Sequence, residues 1–79
     1  MPLYFFDISL PTPELDTMGS EFPDIHAARM AAVRLCGELI QEIDGKFWEE
    51  PVWQMKVADQ KHRLLFTLTF SAEDQDFVV

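Results

Sequence analysis

The side chains that could do chemistry in this chain of 79 residues are few and scattered. The single cysteine, Cys36, is the one thiol, and the imidazoles are those of His26 and His62. Zinc sites draw cysteine and histidine ligands from short, regular spacings, which these three residues do not have. A cysteine nucleophile would need an imidazole beside it, and Cys36 falls in an apolar stripe instead. We therefore expect no metal ligand, no cofactor and no catalytic cysteine.

Paired acids and phosphate-binding loops are the next chemistry to consider. Glu49 and Glu50 are adjacent in sequence, whereas paired catalytic carboxylates face each other across a cleft and neighbouring acids on a loop are usually solvated. The glycines Gly19, Gly37 and Gly45 are isolated, and none has the spacing of a phosphate-binding loop. The sequence therefore favours a non-catalytic protein.

The composition is that of an ordinary globular protein, with 48% hydrophobic and 25% charged residues. A formal net charge of -8 creates a field that repels phosphate backbones. Four side chains around the final hairpin could form a small basic spot: Lys56, Lys61, His62 and Arg63. Because the total charge opposes this spot, nucleic acid is the weakest of the candidate partners.

One cysteine cannot form an internal disulfide, which suits a reducing compartment such as the cytoplasm. The apolar residues 1–8 lack a basic leader and a small-residue cleavage site, and they contain Asp7. No segment reaches the ~20 apolar residues of a membrane span. We therefore expect a cytoplasmic protein without a membrane partner.

A helix over about residues 24–43 is the clearest predicted element. Asp24 can cap its first turn, because its carboxylate can accept hydrogen bonds from the amides that lack partners there. Apolar residues then recur at steps of three and four and form one buried stripe: Ile25, Ala28, Ala32, Leu35, Cys36, Leu39 and Ile43. Arg29 flanks this stripe, where it could pair with an acid such as Asp7 or Asp24.

Alternating patterns predict strands over residues 3–9, 52–59 and 63–70, and a brief one near residues 20–22. The first strand places Tyr4, Phe6 and Ile8 on one face. The last two strands form a hairpin whose inward side chains are Trp53, Met55, Val57, Leu64, Phe66, Leu68 and Phe70. Its outward side chains include Leu65, Thr67 and Thr69.

These elements predict an α+β fold, a two-layer sandwich with one amphipathic helix packed on a three- to four-stranded, mainly antiparallel sheet. The strand order is open, but a lone hairpin is marginal, so the first strand should pair with one of its edges. We expect a single domain over residues 1–79, of which residues 70–79 form a partly flexible acidic tail.

Apolar residues without an internal role suggest a function. Phe47 and Trp48 lie in a predicted loop, Phe77 lies near the end, and Leu65 lies on the outer sheet face. Together with an unpaired sheet edge they favour a protein–protein interaction module, with either another protein or a second copy as partner. The alternative is a small-ligand or enzymatic role in a pocket between helix and sheet.

Five groups of residues carry a resemblance to a known family: Tyr4-Phe5-Phe6-Asp7-Ile8, Asp16 and Gly19, Pro23-Asp24 with Ala27-Ala28-Arg29, Trp53-Gln54-Met55-Lys56-Val57 followed by Asp59, and Leu68-Thr69-Phe70-Ser71-Ala72-Glu73-Asp74. From Met1 to about Asp74 the chain resembles a family of small uncharacterised bacterial proteins known only as a domain of unknown function. The resemblance implies no activity, substrate or cofactor. The chain departs from the family at His62, where the last turn usually contains glycine, so the type of this turn stays open.

Overall fold

The structure is a computed structural model that describes residues 1–43 and 52–72. Five elements lie in these two ranges: β1 (Leu3–Leu10), β2 (Ser20–Glu21), α1 (Ile25–Ile43), β3 (Val52–Asp59) and β4 (Leu64–Ser71). The predicted helix and the three long strands are confirmed, and their ends differ from the predicted ones by at most one residue.

The four strands form one sheet in the order β2-β1-β3-β4, and every neighbouring pair is antiparallel. β1 therefore pairs with β3, which is one edge of the predicted hairpin. Phe6 lies opposite Val57, which in turn lies opposite Phe66, so that these three side chains point to the same face. The helix packs on that face, and the predicted α+β class is confirmed.

Asp24 starts the helix as the sequence predicts. Its Oδ1 accepts a hydrogen bond from the Ala27 amide at 2.9 Å, and its carbonyl accepts one from the Ala28 amide at 3.2 Å. The first bond satisfies an amide that has no partner within the helix, and the second is the first regular bond of the helix. The Asp24 cap thus defines where α1 begins.

The core lies between α1 and the two central strands. Its buried members are Tyr4, Ala28, Ala32, Cys36, Met55 and Val57. Small side chains at Ala28 and Ala32 let the helix backbone lie close to the sheet. Cys36 Sγ lies 3.7 Å from Met55 Sδ, and burial raises the pKa of the Cys36 thiol. The prediction of a buried core cysteine is confirmed.

Two predictions for the helix are wrong. Leu35 belongs to the predicted buried stripe but is 37% exposed, because it faces an open hollow above β1. Arg29 forms no ion pair with Asp7 or Asp24; its guanidinium carbon lies 5.7 Å from the centre of the Phe66 ring instead. The side chain of Ile43 lies outside the described residues.

The predicted alternation of β4 is wrong at its first two residues. Ala58 pairs with Leu64 while its neighbour Val57 pairs with Phe66, so Leu65 is an extra residue in β4. Such a bulge interrupts the alternation of side chains. Leu65 and Phe66 consequently both pack against the core, and Leu64, expected inward, is 58% exposed.

Candidate functional site

The predicted interaction surface is only partly within view. Phe47, Trp48 and Phe77 lie outside the described residues, as do the adjacent acids Glu49 and Glu50. Leu65 is described, and it is partly buried against the core, so the expectation that it faces outward is wrong. Leu65 is thus the one residue of the predicted surface that the structure describes, and the joint role of the four stays a prediction.

The space between helix and sheet is small. The hollow between them beside Cys36 measures about 10 Å³, which is room for about one water molecule. Trp53 lines this hollow together with Cys36, Leu39 and Phe70, and its buried Nε1 has no hydrogen-bond acceptor among residues 1–43 and 52–72. A wider hollow of about 420 Å³ beside Leu15 and Leu35 is open to solvent.

One edge of the sheet, the outer edge of β1, is closed by the chain itself. Tyr4 pairs with Ser20 of β2, and Ile8 exchanges two backbone hydrogen bonds with Glu14, at 2.9 and 2.8 Å. Between these pairs, the Phe6 amide donates to Asp16 Oδ2 at 3.1 Å. A side-chain carboxylate thus takes the place of a strand where no strand is present.

Asp16 is held in this position by backbone amides. Its Oδ1 accepts hydrogen bonds from Gly19 at 2.9 Å and from Met18 at 3.1 Å, and its own amide donates to Asp7 Oδ1 at 2.8 Å. Burial alone would raise the pKa of Asp16, but the amides of Gly19, Phe6 and Met18 outweigh it, and the pKa is lowered. The carboxylate that closes the edge is therefore ionised at neutral pH.

The opposite edge of the sheet, the outer edge of β4, has no pairing strand among the described residues. In an antiparallel ladder the N–H and C=O of one residue point to the same neighbour, and successive residues alternate. The Phe6 amide points away from β3, so the backbone of Val57 points to β4 and bonds with that of Phe66. Thr67 and Thr69 therefore direct their backbone groups away from β3, past the edge.

After its first two residues, β4 has none of the usual protection of an edge strand. Natural edges are blunted by charged side chains, proline, bulges or short strands. From Leu64 to Ser71 the strand has eight residues without a charge or a proline, and its single bulge lies at its start. The stretch from Phe66 to Ser71 is thus regular and open to pairing.

An apolar flank borders this open edge on the helix side. On β3, Met55 and Val57 are 1% and 0% exposed, whereas Phe66, Leu68 and Phe70 of β4 are only partly buried. A helix is about 10 Å wide and strands lie about 4.8 Å apart, so one helix covers about two strands of four. The open edge therefore offers partly exposed apolar side chains beside the outward amides of Thr67 and Thr69, which have no pairing strand among the described residues.

The hairpin turn contains three of the four residues of the predicted basic spot, whereas the fourth, Lys56, lies within β3. Asp59 Oδ1 accepts hydrogen bonds from the amides of Lys61 and Arg63, and Oδ2 accepts one from Arg63 Nε, each at 2.9 Å. The bond from the Arg63 amide, opposed by desolvation, lowers the pKa of Asp59, and the Arg63 side chain and Lys61 amide add to it. The Arg63 charge is thus paired, which weakens the basic spot further.

His62 settles the type of this turn. Its φ is +62°, in the left-handed region that favours glycine, and it ends a three-residue loop between the hydrogen-bonded Asp59 and Arg63. The loop is therefore a tight turn followed by a left-handed residue, a geometry to which glycine is suited. The imidazole ring lies 5.3 Å from the ring of Phe5, centre to centre.

The sequence predicts an unpaired edge without locating it, and it marks Asp16 only through the family resemblance, without a role. The signal for β4 is the absence of charge and proline across a whole strand. The role of Asp16 has no local signal, because its partners are backbone amides that only the folded loop brings to it. No helix among the described residues is long and apolar enough to cross a membrane.

No curated protein and no solved structure matches the chain. A protein family does match it, over residues 3–71, under the description Domain of unknown function (DUF6894). The match begins at the first residue of β1 and ends at the last residue of β4, so it spans the helix and the whole sheet. The chain belongs to this family.

Proposed function

We propose that this chain is a non-catalytic protein-binding module that holds an extended segment of its partner against the outer edge of β4. The observation that carries the proposal is the outward direction of the Thr67 and Thr69 backbone groups on a strand without charge or proline. Strand addition to such an edge is a common mode of peptide recognition. Main-chain hydrogen bonds supply affinity, and alternate side chains supply specificity.

The apolar flank supports the same proposal. A strand added beside β4 would direct every second side chain over the partly exposed Phe66, Leu68 and Phe70. Burial of apolar area is the main favourable term in association. The guanidinium of Arg29, which lies over Phe66, would limit how large the partner's side chain can be at that end.

A small-ligand role has less support. Ligand pockets usually measure about 300–1,000 Å³ and enclose most of the ligand. The hollow beside Cys36 is about 10 Å³, and the larger ones beside α1 are wide open to solvent.

We also propose the cytoplasm as the compartment, since the lone cysteine is buried and free.

A selection of random ten-residue peptides against the purified chain tests this function. We expect enriched peptides to bind the natural chain and the Thr67→Ala variant, but not Thr67→Pro. Both variants lose the threonine hydroxyl, whereas only proline removes the outward N–H. A folded Thr67→Pro chain that binds the peptides as well as Thr67→Ala does, or a selection that enriches nothing, contradicts the proposal.

A further inference from the structure

The sequence of β4 is symmetric about Leu68. Its regular part, Phe66-Thr67-Leu68-Thr69-Phe70, is the same in both directions. The two phenylalanines and Leu68 pack on the helix side, and the two threonines are exposed on the other side. Two antiparallel copies of such a strand meet with identical residue types opposite each other.

We propose that the partner of the β4 edge is a second copy of this chain, paired antiparallel through β4 with Leu68 of both copies at the two-fold axis. This inference rests on the proposed function, because it uses the same edge. Thr67 of one copy lies opposite Thr69 of the other, and Phe66 lies opposite Phe70. The outward backbone groups of Thr67 and Thr69 then form the hydrogen-bonded pairs of the new ladder.

Symmetry restricts the pairing and agrees with the burial pattern. Opposite residues in an antiparallel pair point to the same face, so a two-fold axis at Leu68 places both helices on one side of an eight-stranded sheet. The partly exposed Phe66, Leu68 and Phe70 of both copies then meet between the helices. Pairs of aromatic side chains across strands stabilise such a ladder.

The other edge explains why the assembly stops at two copies. In the dimer both outer edges would be those of β1 and β2, which the Asp16 carboxylate and the Ile8–Glu14 pair close. β2, the outermost strand at each end, has only two residues, one of them Glu21, and a short charged strand disfavours further strand addition. The proposal therefore predicts a closed dimer and not a fibre.

Disulfide trapping tests the register. In a background of Cys36→Ala, one sample is Thr67→Cys, a second is Thr69→Cys, and a third is their equimolar mixture with one chain mass-tagged. Residues 67 and 69 of opposite copies would have their Cα atoms about 5.5 Å apart, within disulfide range. Two residues 67 would be diagonal neighbours, beyond that range. We expect mixed disulfides in the third sample only; equal trapping in the single samples, or none in any, overturns the register.

Sedimentation separates this inference from the proposed function. We expect a dimer for the natural chain and for Thr67→Ala, and a dissociation constant at least about tenfold higher for Thr67→Pro, which removes two symmetric hydrogen bonds. Should proline prevent folding, Thr67→Lys with Thr69→Lys gives the same readout by placing charge at the edge. A natural chain that is monomeric at millimolar concentration but still binds the selected peptides overturns the dimer alone. A chain that neither dimerises nor binds peptides overturns the proposed function too.

Discussion

At the scale of single residues, Asp16 is the side chain whose role the structure defines most sharply. Its two carboxylate oxygens accept three hydrogen bonds, from the backbone amides of Phe6, Met18 and Gly19. Amides of Met18 and Gly19 fix the loop, and the Phe6 amide belongs to the sheet. One carboxylate therefore both shapes the loop after β1 and satisfies the edge that this loop covers.

Replacing Asp16 by Asn should lower the free energy of unfolding by about 1–2 kcal/mol at neutral pH, because charge-assisted bonds to amides become neutral ones. The pKa of Asp16 is lower in the folded chain than its ordinary value of 3.8. Its stabilisation is therefore present above that value and is lost as the pH falls through the lower folded pKa. The difference between the two proteins should shrink below pH 3.8.

Denaturant titrations over that pH range measure this effect. Glu14→Gln is the matched control, because Glu14 meets Ile8 through its backbone and its side chain is exposed. If the free energies of unfolding of the natural chain and Asp16→Asn differ by a constant amount down to the lowest pH, the charge of the Asp16 carboxylate does not stabilise the fold.

His62 is a second residue whose contribution to stability can be measured, because its backbone conformation is unfavourable for a residue with a side chain. A residue with a Cβ pays about 1–2 kcal/mol in the left-handed region, and glycine does not. Both His62→Gly and His62→Ala lose the ring contact with Phe5, so their difference isolates the backbone term. We expect the glycine variant to have the higher free energy of unfolding by about 1 kcal/mol. Equal unfolding midpoints for the two variants would contradict the assigned turn geometry.

At the scale of elements, the sequence predicts what depends on local pattern. The Asp24 cap and the three- and four-residue steps from Ala28 to Leu39 were sufficient for the helix. Alternation was sufficient for β3. It failed at Leu64 and Leu65, because a bulge depends on how β4 matches Ala58 and Val57 across the hairpin, which no pattern within one strand records.

The pairing of strands that are distant in sequence is a second feature that the sequence does not predict. The hydrophobic faces of β1 and of the hairpin are compatible with either edge of the hairpin, so the order β2-β1-β3-β4 was beyond prediction. The exposure of Leu35 and the stacking of Arg29 on Phe66 follow from that order, since they depend on which strands the helix covers. An unpaired edge could be expected from the sequence, but its location at β4 depends on the same strand order.

Two glycines give a matched prediction for the elements that contain them. Gly37 lies on the exposed side of α1, where an added Cβ meets nothing within 4 Å, so Gly37→Ala should stabilise the chain by about 0.5–1 kcal/mol. Gly19 has φ +74°, and an added Cβ would lie 2.9 Å from Leu3 Cγ. Gly19→Ala should therefore destabilise. Thermal unfolding of both variants checks the signs, and a loss of stability in Gly37→Ala would contradict this description of the helix surface.

At the scale of the whole molecule, the two edges of the sheet differ in kind. One is closed by β2, Glu14 and Asp16, and the other is a regular, uncharged strand with outward amides. The helix lies over the central strands and leaves the inner face of β4 partly exposed. This asymmetry is the basis of the proposed function, and the symmetry of β4 about Leu68 is the basis of the proposed dimer.

Amide hydrogen exchange, measured residue by residue from micromolar to millimolar protein, shows whether the β4 edge binds an extended strand. We expect the amides of Thr67 and Thr69 to exchange fast in dilute samples and to become protected as the protein concentration rises. The Leu68 amide, which points to β3, should be protected throughout. Thr67 and Thr69 amides that exchange at one unchanged rate over the whole range, with or without a selected peptide, would contradict strand binding at this edge.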